Sequence, residues 1–99
     1  MVELGGNIEL IGFDREPSEM VVLKKIIGNY ARKFSDHFGN DYEKLVLDLK
    51  HVHGEKSNKF EISARLLTKK KQYNAEITEN NLFFCVAEVL KKIETQIHK

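Results

Sequence analysis

A change of apolar periodicity in the second half of the chain constrains its fold most. Apolar side chains recur at every second position over residues 60–66, and again at Tyr73, Ala75 and Ile77. This is the period of a strand with one buried face. After these residues the spacing becomes three and four, which is typical of an amphipathic helix. Two strands therefore run into a helix that covers their sheet, and its apolar stripe comprises Leu82, Phe83, Val86, Val89, Leu90, Ile93 and Ile97.

The first half of the chain supplies the remaining elements. Residues 7–13 are predicted to form a strand, and the only proline, Pro17, suits the first turn of a helix, where its missing N–H costs nothing. Gly39-Asn40 is a natural end for that helix. A further strand begins near Leu45 and continues to His51 or Val52. The apolar stripe of the first helix comprises Met20, Leu23, Ile27, Tyr30, Ala31, Phe34 and Phe38.

The predicted order is β-α-β-β-β-α, an α+β two-layer sandwich in which a four-stranded sheet carries two helices on one face. Residues 1–99 fit a single domain, because domains cluster at about 100 to 150 residues. Residues 1–6 are expected to be the one loose, disordered end. The last three strands have short links and should form an antiparallel meander. The opposite face of the sheet would be exposed, with Glu9, Asp48, Lys50, Glu61, Ser63, Arg65, Asn74 and Glu76 on it.

The charge composition argues against a strong overall attraction to nucleic acid. Sixteen Lys and Arg residues against fifteen Asp and Glu residues give a net charge of +1 at pH 7, so only local clusters of cations could bind RNA. One cluster is Arg65 with Lys69, Lys70 and Lys71, and another lies on the first helix. No window approaches the roughly 18 apolar residues that a membrane span needs, and no signal peptide is recognised. A cytoplasmic protein without membrane contact is expected.

Catalytic and metal-binding motifs are not found. The lone cysteine, Cys85, lies on the flank of a core stripe, and a partly buried thiol in a reducing compartment is expected. His51 and His53 share one face of a strand, but two ligands do not make a zinc site. His37 and His98 lie far away in sequence, at the ends of helices. We therefore expect no enzyme, no metal and no cofactor.

The two helices carry a resemblance to a known family. Residues 81–97 share an apolar register, an aromatic at Phe83 and a lysine at Lys92 with the closing helix of the ribosome hibernation promoting factors, also known as ribosome-associated inhibitor A or protein Y. The end of the first helix, residues 33–38, is similar to that family's basic and aromatic ending. Lys24 falls where the family tends to carry an arginine. Together with the order of elements, the chain resembles this family from residue 7 to residue 99.

The resemblance implies a ribosome-associated, RNA-binding factor that modulates or inhibits translation, as in ribosome hibernation and the stress response. The implied partner is the small ribosomal subunit and its rRNA, whose channel for messenger and transfer RNA the protein would occupy. The resemblance assigns RNA contacts to Lys24, Lys33, Lys92 and Lys99. The helical spacing adds Lys25 and Arg32, which share the outer face of the first helix, and Lys91, which falls outside the stripe of the last one.

Two questions stay open at this point. Phe84 lies outside the apolar stripe, which indicates a partner contact and an alternative function as a non-catalytic protein-interaction module, either monomer or homodimer. Lys69, Lys70 and Lys71 fall at a hairpin tip, where they either reach phosphates or form a soluble, charged turn. We favour the charged turn. Recognition of double-stranded RNA is disfavoured, because the last helix begins with Asn80-Asn81-Leu82 rather than with cations.

Overall fold

The computed structural model describes residues 2–4, 7–53 and 58–98. Strands β1 and β2 precede helix α1, a short 3₁₀ turn follows it, and three strands then lead to helix α2. The bounds in chain order are β1 Val2–Leu4, β2 Ile8–Ile11, α1 Pro17–Phe38, the 3₁₀ turn Gly39–Asp41, β3 Tyr42–His53, β4 Asn58–Thr68, β5 Gln72–Glu79 and α2 Leu82–Ile97.

The strands form one mixed sheet in the order β1-β2-β3-β4-β5. Strands β2 and β3 are parallel, and β3, β4 and β5 form the predicted antiparallel meander. The α+β arrangement with the order β-α-β-β-β-α is therefore confirmed, while β1 adds a fifth strand. It pairs antiparallel with β2, with Val2 opposite Leu10 and Leu4 opposite Ile8. Residues 2–4 fall within the predicted loose end and pair with β2, although the segment is too short to show any periodicity. The disorder of this end stays a prediction. Residues 1, 5 and 6 lie outside the described residues.

Local sequence signals set the ends of both helices. Pro17 occupies the first turn of α1, and Gly39, with a φ of 57°, ends the helix as predicted. At the start of α2 the side chain of Asn81 accepts a hydrogen bond of 2.9 Å from the backbone N–H of Phe84. This N-cap satisfies one of the free amides of the first turn. Within the described part of the chain, neither helix combines the length and apolarity that crossing a bilayer requires.

Both helices pack on the same face of the sheet. Side chains from the two stripes meet the inward-facing residues of β2, β3 and β4, and this contact forms the core. The largest fully buried side chains are Leu10, Leu23, Ile27, Phe34, Leu45, Leu47, Ile62, Leu66, Val86, Val89, Leu90 and Ile93. The opposite face carries mainly polar residues, as predicted, and the apolar residues described on it are Ile11, Val46, Val52 and Leu67. Val46 is buried on it, between its strand neighbours Glu9 and Arg65.

The turn between β4 and β5 is fixed by its own hydrogen bonds. The hydroxyl of Thr68 donates to the carbonyl oxygen of Lys71 at 2.6 Å and accepts from the backbone N–H of the same residue at 3.0 Å. The backbone N–H of Lys69 donates to the carbonyl oxygen of Asp41 at 2.9 Å. These bonds fasten the hairpin to the 3₁₀ turn, so the three lysines lie on a constrained tip at the end of the molecule where both helices terminate.

Candidate nucleic-acid interface

The outer surface of α1 presents a cluster of cations. Lys24, Lys25 and Arg32 are all exposed, and no described carboxylate lies within ion-pair distance of them. Lys25 and Arg32 are seven residues apart and so lie on one side of the helix, two turns from each other. Cations without a partner in the protein are available for phosphate oxygens. We call these three residues the α1 cationic cluster.

Lys33 has a different environment from the other candidates on α1. Its Nζ lies 3.8 Å from a carboxylate oxygen of Glu94 on α2 and 5.0 Å from the centroid of the Tyr30 ring. The ion pair joins the two helices, although the Lys33 side chain remains 62% exposed. An exposed ion pair of this kind contributes little stability. Lys33 can therefore leave Glu94 for a phosphate at small cost, but it is less available than the α1 cationic cluster.

The two lysines of α2 point in different directions. Both Lys91 and Lys92 are exposed, and consecutive helical residues lie about 100° apart around the axis. Lys91 lies on the outer surface of α2, between Glu94, which pairs with Lys33 of α1, and Thr95, which lines the cleft beside β5. Lys92 lies on the flank next to β5. Lys99 lies outside the described residues, and its proposed RNA contact stays a prediction.

A cleft between α2 and the edge of the sheet contains Lys92. It has a volume of about 660 Å³. The amide of Gln96 donates to the carbonyl oxygen of Asn74 at 2.7 Å and so fastens α2 to the edge strand β5. Arg65, which the sequence analysis did not include in the site, lines the same cleft as Lys92. The remaining lining residues are Ser63, Ala64, Asn74, Ala75, Glu76, Thr95 and Gln96.

Apolar side chains are exposed on the same helical layer. Phe84 is 51% exposed, and on α1 the values are 68% for Val21 and 45% for Val22. The exposure of Phe84 agrees with its predicted position outside the apolar stripe of the helix. Its role as a partner contact stays a prediction.

The cysteine and the strand histidine His51 are packed against other parts of the protein. Cys85 is completely buried rather than partly buried, with its Sγ 3.5 Å from the carbonyl oxygen of Phe60 and 3.4 Å from that of Ile77. Burial raises the pKa of the thiol, so the reactive thiolate is disfavoured. The His51 ring stacks on Phe60 with centroids 4.5 Å apart. In the ranges 7–52 and 58–98, no group of three or more His, Cys, Asp or Glu side chains could hold a metal ion.

Comparisons with known proteins give a fold but no close relative. No protein-family model matches the chain, and no curated protein matches it. A ribosomal subunit interface protein from Coxiella burnetii has a similar structure, with a TM-score of 0.62 and 16% sequence identity over 93% of this chain and 91% of that one. The Protein Y N-terminal domain of Thermus thermophilus is also similar, with a TM-score of 0.58 and 13% identity over 92% of this chain and 91% of that one. These matches span nearly the whole fold, and they confirm at the level of fold the resemblance that the sequence indicated.

Proposed function

We propose that this chain is a ribosome-associated factor that binds RNA of the small subunit through its helical layer and thereby modulates or inhibits translation. The observation that carries the proposal is the α1 cationic cluster, Lys24, Lys25 and Arg32, whose cations are exposed and have no described carboxylate partner. Lys33 extends the cluster toward α2, on which Lys91 is exposed and Lys92 lies on the far flank. Phosphate contacts by several such side chains supply most of the affinity of a non-specific RNA complex.

The solved structures with the same fold support this choice of partner. One is a ribosomal subunit interface protein and the other is the Protein Y N-terminal domain. For this chain we infer that the helical layer occupies the small-subunit channel, in the cytoplasm and without chemistry. The net charge of +1 does not oppose this, because binding depends on the local cluster and not on the sum over the molecule.

Co-sedimentation with purified small ribosomal subunits tests the proposal. We expect the folded protein to sediment with subunits at about 50 mM salt and to be largely released at about 200 mM, because phosphate contacts release counterions. A folded protein that stays in the supernatant at the lower salt concentration would overturn the proposal. Equal binding at both concentrations would show that phosphate contacts do not carry the interaction.

The exposed apolar residues support a second candidate, a protein-interaction module on the same scaffold. Phe84, Val21 and Val22 lie on the helical layer, where they could contact a second copy of the chain. Light scattering over a range of protein concentrations separates the two oligomeric states. A mass that rises with concentration, and that Phe84→Ser returns to the monomer value, would support the dimer, whereas a monomer throughout would contradict it.

A further inference from the structure

A row of four rings lies at the end of the molecule where both helices terminate. Tyr73 of β5 and Phe38 of α1 have centroids 5.8 Å apart, Phe38 and His37 are 4.8 Å apart, and His37 and His98 are 5.5 Å apart. We call these residues the ring row. His37 and His98 are separated by sixty-one positions in the sequence, and only the parallel packing of α1 and α2 brings them together.

The ring row is accessible along its length. His37 and His98 are exposed, while Phe38 and Tyr73 are half-buried. His37 meets both Phe38 and His98 edge to face, with interplanar angles of 85° and 77°. Edge-to-face contact occupies one side of a ring at most, so the exposed imidazoles retain faces on which another flat group can stack.

Lysines border the ring row on the hairpin side. The Nζ of Lys71 lies 5.0 Å from the centroid of the Tyr73 ring. Lys69 and Lys70 occupy the same constrained turn, and Lys70 has only a weak, exposed ion pair of 3.8 Å with Asp41. Flat rings beside a set of cations are the combination that binds single-stranded nucleic acid, since bases stack on the rings and phosphates contact the cations.

We propose that the ring row stacks bases of an unpaired stretch of RNA while Lys69, Lys70 and Lys71 contact its phosphates. The inference rests on the proposed function for the class of partner, RNA, but it assigns a site beyond the outer faces of the helices. It also assigns the hairpin lysines to phosphate binding, in place of the charged turn that the sequence favoured.

The helix termini determine which part of the RNA lies where. Both α1 and α2 end at the ring row, and the carboxyl end of a helix carries partial negative charge. Phosphates are therefore disfavoured beside the two imidazoles, while the exocyclic amino groups of bases can donate to the free carbonyl oxygens there. The backbone of the RNA would run along the hairpin lysines, with its bases directed toward the rings.

The test measures affinity for two oligonucleotides of equal charge by fluorescence anisotropy at low salt. One is a single-stranded RNA of about eight nucleotides, and the other is an abasic chain of the same length. We expect the unmodified protein to bind the RNA at least about tenfold more tightly, because stacking depends on the bases. Equal affinity for the two chains would overturn the proposal.

Matched variants test which residues cause the preference for RNA over the abasic chain. The double variant His37→Leu with His98→Leu removes the aromatic faces and should lose the tenfold preference, whereas tyrosine at both positions should restore it. His51→Leu removes an exposed imidazole at the opposite end of the sheet and should keep the preference. Replacing Lys69, Lys70 and Lys71 by Gln should weaken the binding of both oligonucleotides. A preference that survives the double leucine variant contradicts the assignment to the ring row.

Co-sedimentation separates this inference from the proposed function. A protein that prefers the base-containing RNA but does not sediment with subunits supports the ring row and contradicts the ribosomal role. A protein that sediments with subunits but shows no preference for bases overturns the ring row alone. Thermal unfolding of each variant verifies that the fold is retained.

Discussion

Gly12 follows β2 in a backbone conformation that side chains rarely adopt. Its φ is +77°, and a β-carbon built there would overlap the carbonyl oxygen of Leu49 in β3. Gly28, in the middle of α1, differs in both respects, because its φ is not positive and a β-carbon there meets nothing within 4 Å. The same substitution should therefore have opposite effects at the two positions.

We expect Gly12→Ala to lower the free energy of unfolding by about 2 kcal/mol or more, from backbone strain and the overlap with Leu49. Gly28→Ala should raise it by about 0.5–1 kcal/mol, because alanine restricts the unfolded chain and favours the helix. Denaturant unfolding of both variants measures the two changes, and each variant controls for the other. A stabilising Gly12→Ala would show that the chain between β2 and α1 is placed incorrectly.

Lys33 shows what the sequence can and cannot reveal about a single residue. The helical spacing placed its side chain outside the core stripe, and the structure confirms that exposure. It could not reveal the neighbouring Glu94, because an ion pair between α1 and α2 depends on how the two helices pack. The same reason explains why Arg65 was not associated with Lys92, and why His37 was not associated with His98.

At the scale of elements, the ends of α1 were predicted more closely than those of the strands. The ends of α1 follow from Pro17 and Gly39, which act locally whatever the tertiary structure. Strand β3 begins at Tyr42, earlier than its leucine alternation indicates, because a register shift between Tyr42 and Lys44 interrupts the period of two. Strand β1 has only three residues and depends on pairing with β2 for its existence.

The contact between α1 and α2 gives a dependence of stability on pH. Burial, followed by the carboxylates of Glu94 and Glu88 on α2, raises the pKa of Tyr30 above its ordinary value of 10.0. The folded state then holds this proton at a pH where the unfolded chain has lost it. The stabilisation is fully present below pH 10 and is lost as the pH rises through the pKa of the folded state.

We expect the free energy of unfolding to fall between about pH 9 and about pH 11, and Tyr30→Phe should reduce this fall. The fall should not disappear, because burial also raises the pKa of Tyr42. Denaturant unfolding at both pH values, with the unmodified protein as the reference, measures the difference. A fall of the same size in Tyr30→Phe would show that the phenol is not in the environment described.

At the scale of the whole molecule, the fold separates two polar surfaces. The helical layer carries the α1 cationic cluster, whereas on the open sheet face cations and carboxylates alternate. Lys44 and Glu9 form an ion pair of 2.5 Å there, and Lys50 lies opposite Glu61. A phosphate approaching the sheet face at these positions meets a carboxylate beside each lysine. The net charge near zero therefore does not reveal that the charges are distributed differently on the helical layer and on the open sheet face.

Much of this whole-molecule picture follows from periodicity alone. The two-layer architecture and the exposure of the candidate cations on α1 and α2 needed only the spacing of apolar residues. The arrangement of those cations relative to each other needed the structure, because Lys92 lines a cleft beside β5 and Lys33 forms an ion pair with Glu94. Fold class is encoded locally, whereas a binding surface is assembled from distant segments.

Two charge-reversal variants test the central claim, that the helical layer binds the ribosome, most directly. One replaces Lys24, Lys25 and Arg32 by Glu, and the other replaces Lys44, Lys50 and Lys59 on the open sheet face by Glu, so the net charge changes equally. The measurement is the affinity for purified small subunits as a function of salt. We predict that the helical variant loses at least about tenfold in affinity and shows a flatter salt dependence, while the sheet variant binds nearly as the unmodified protein does. Equal losses in both variants, or a larger loss in the sheet variant, would contradict the account.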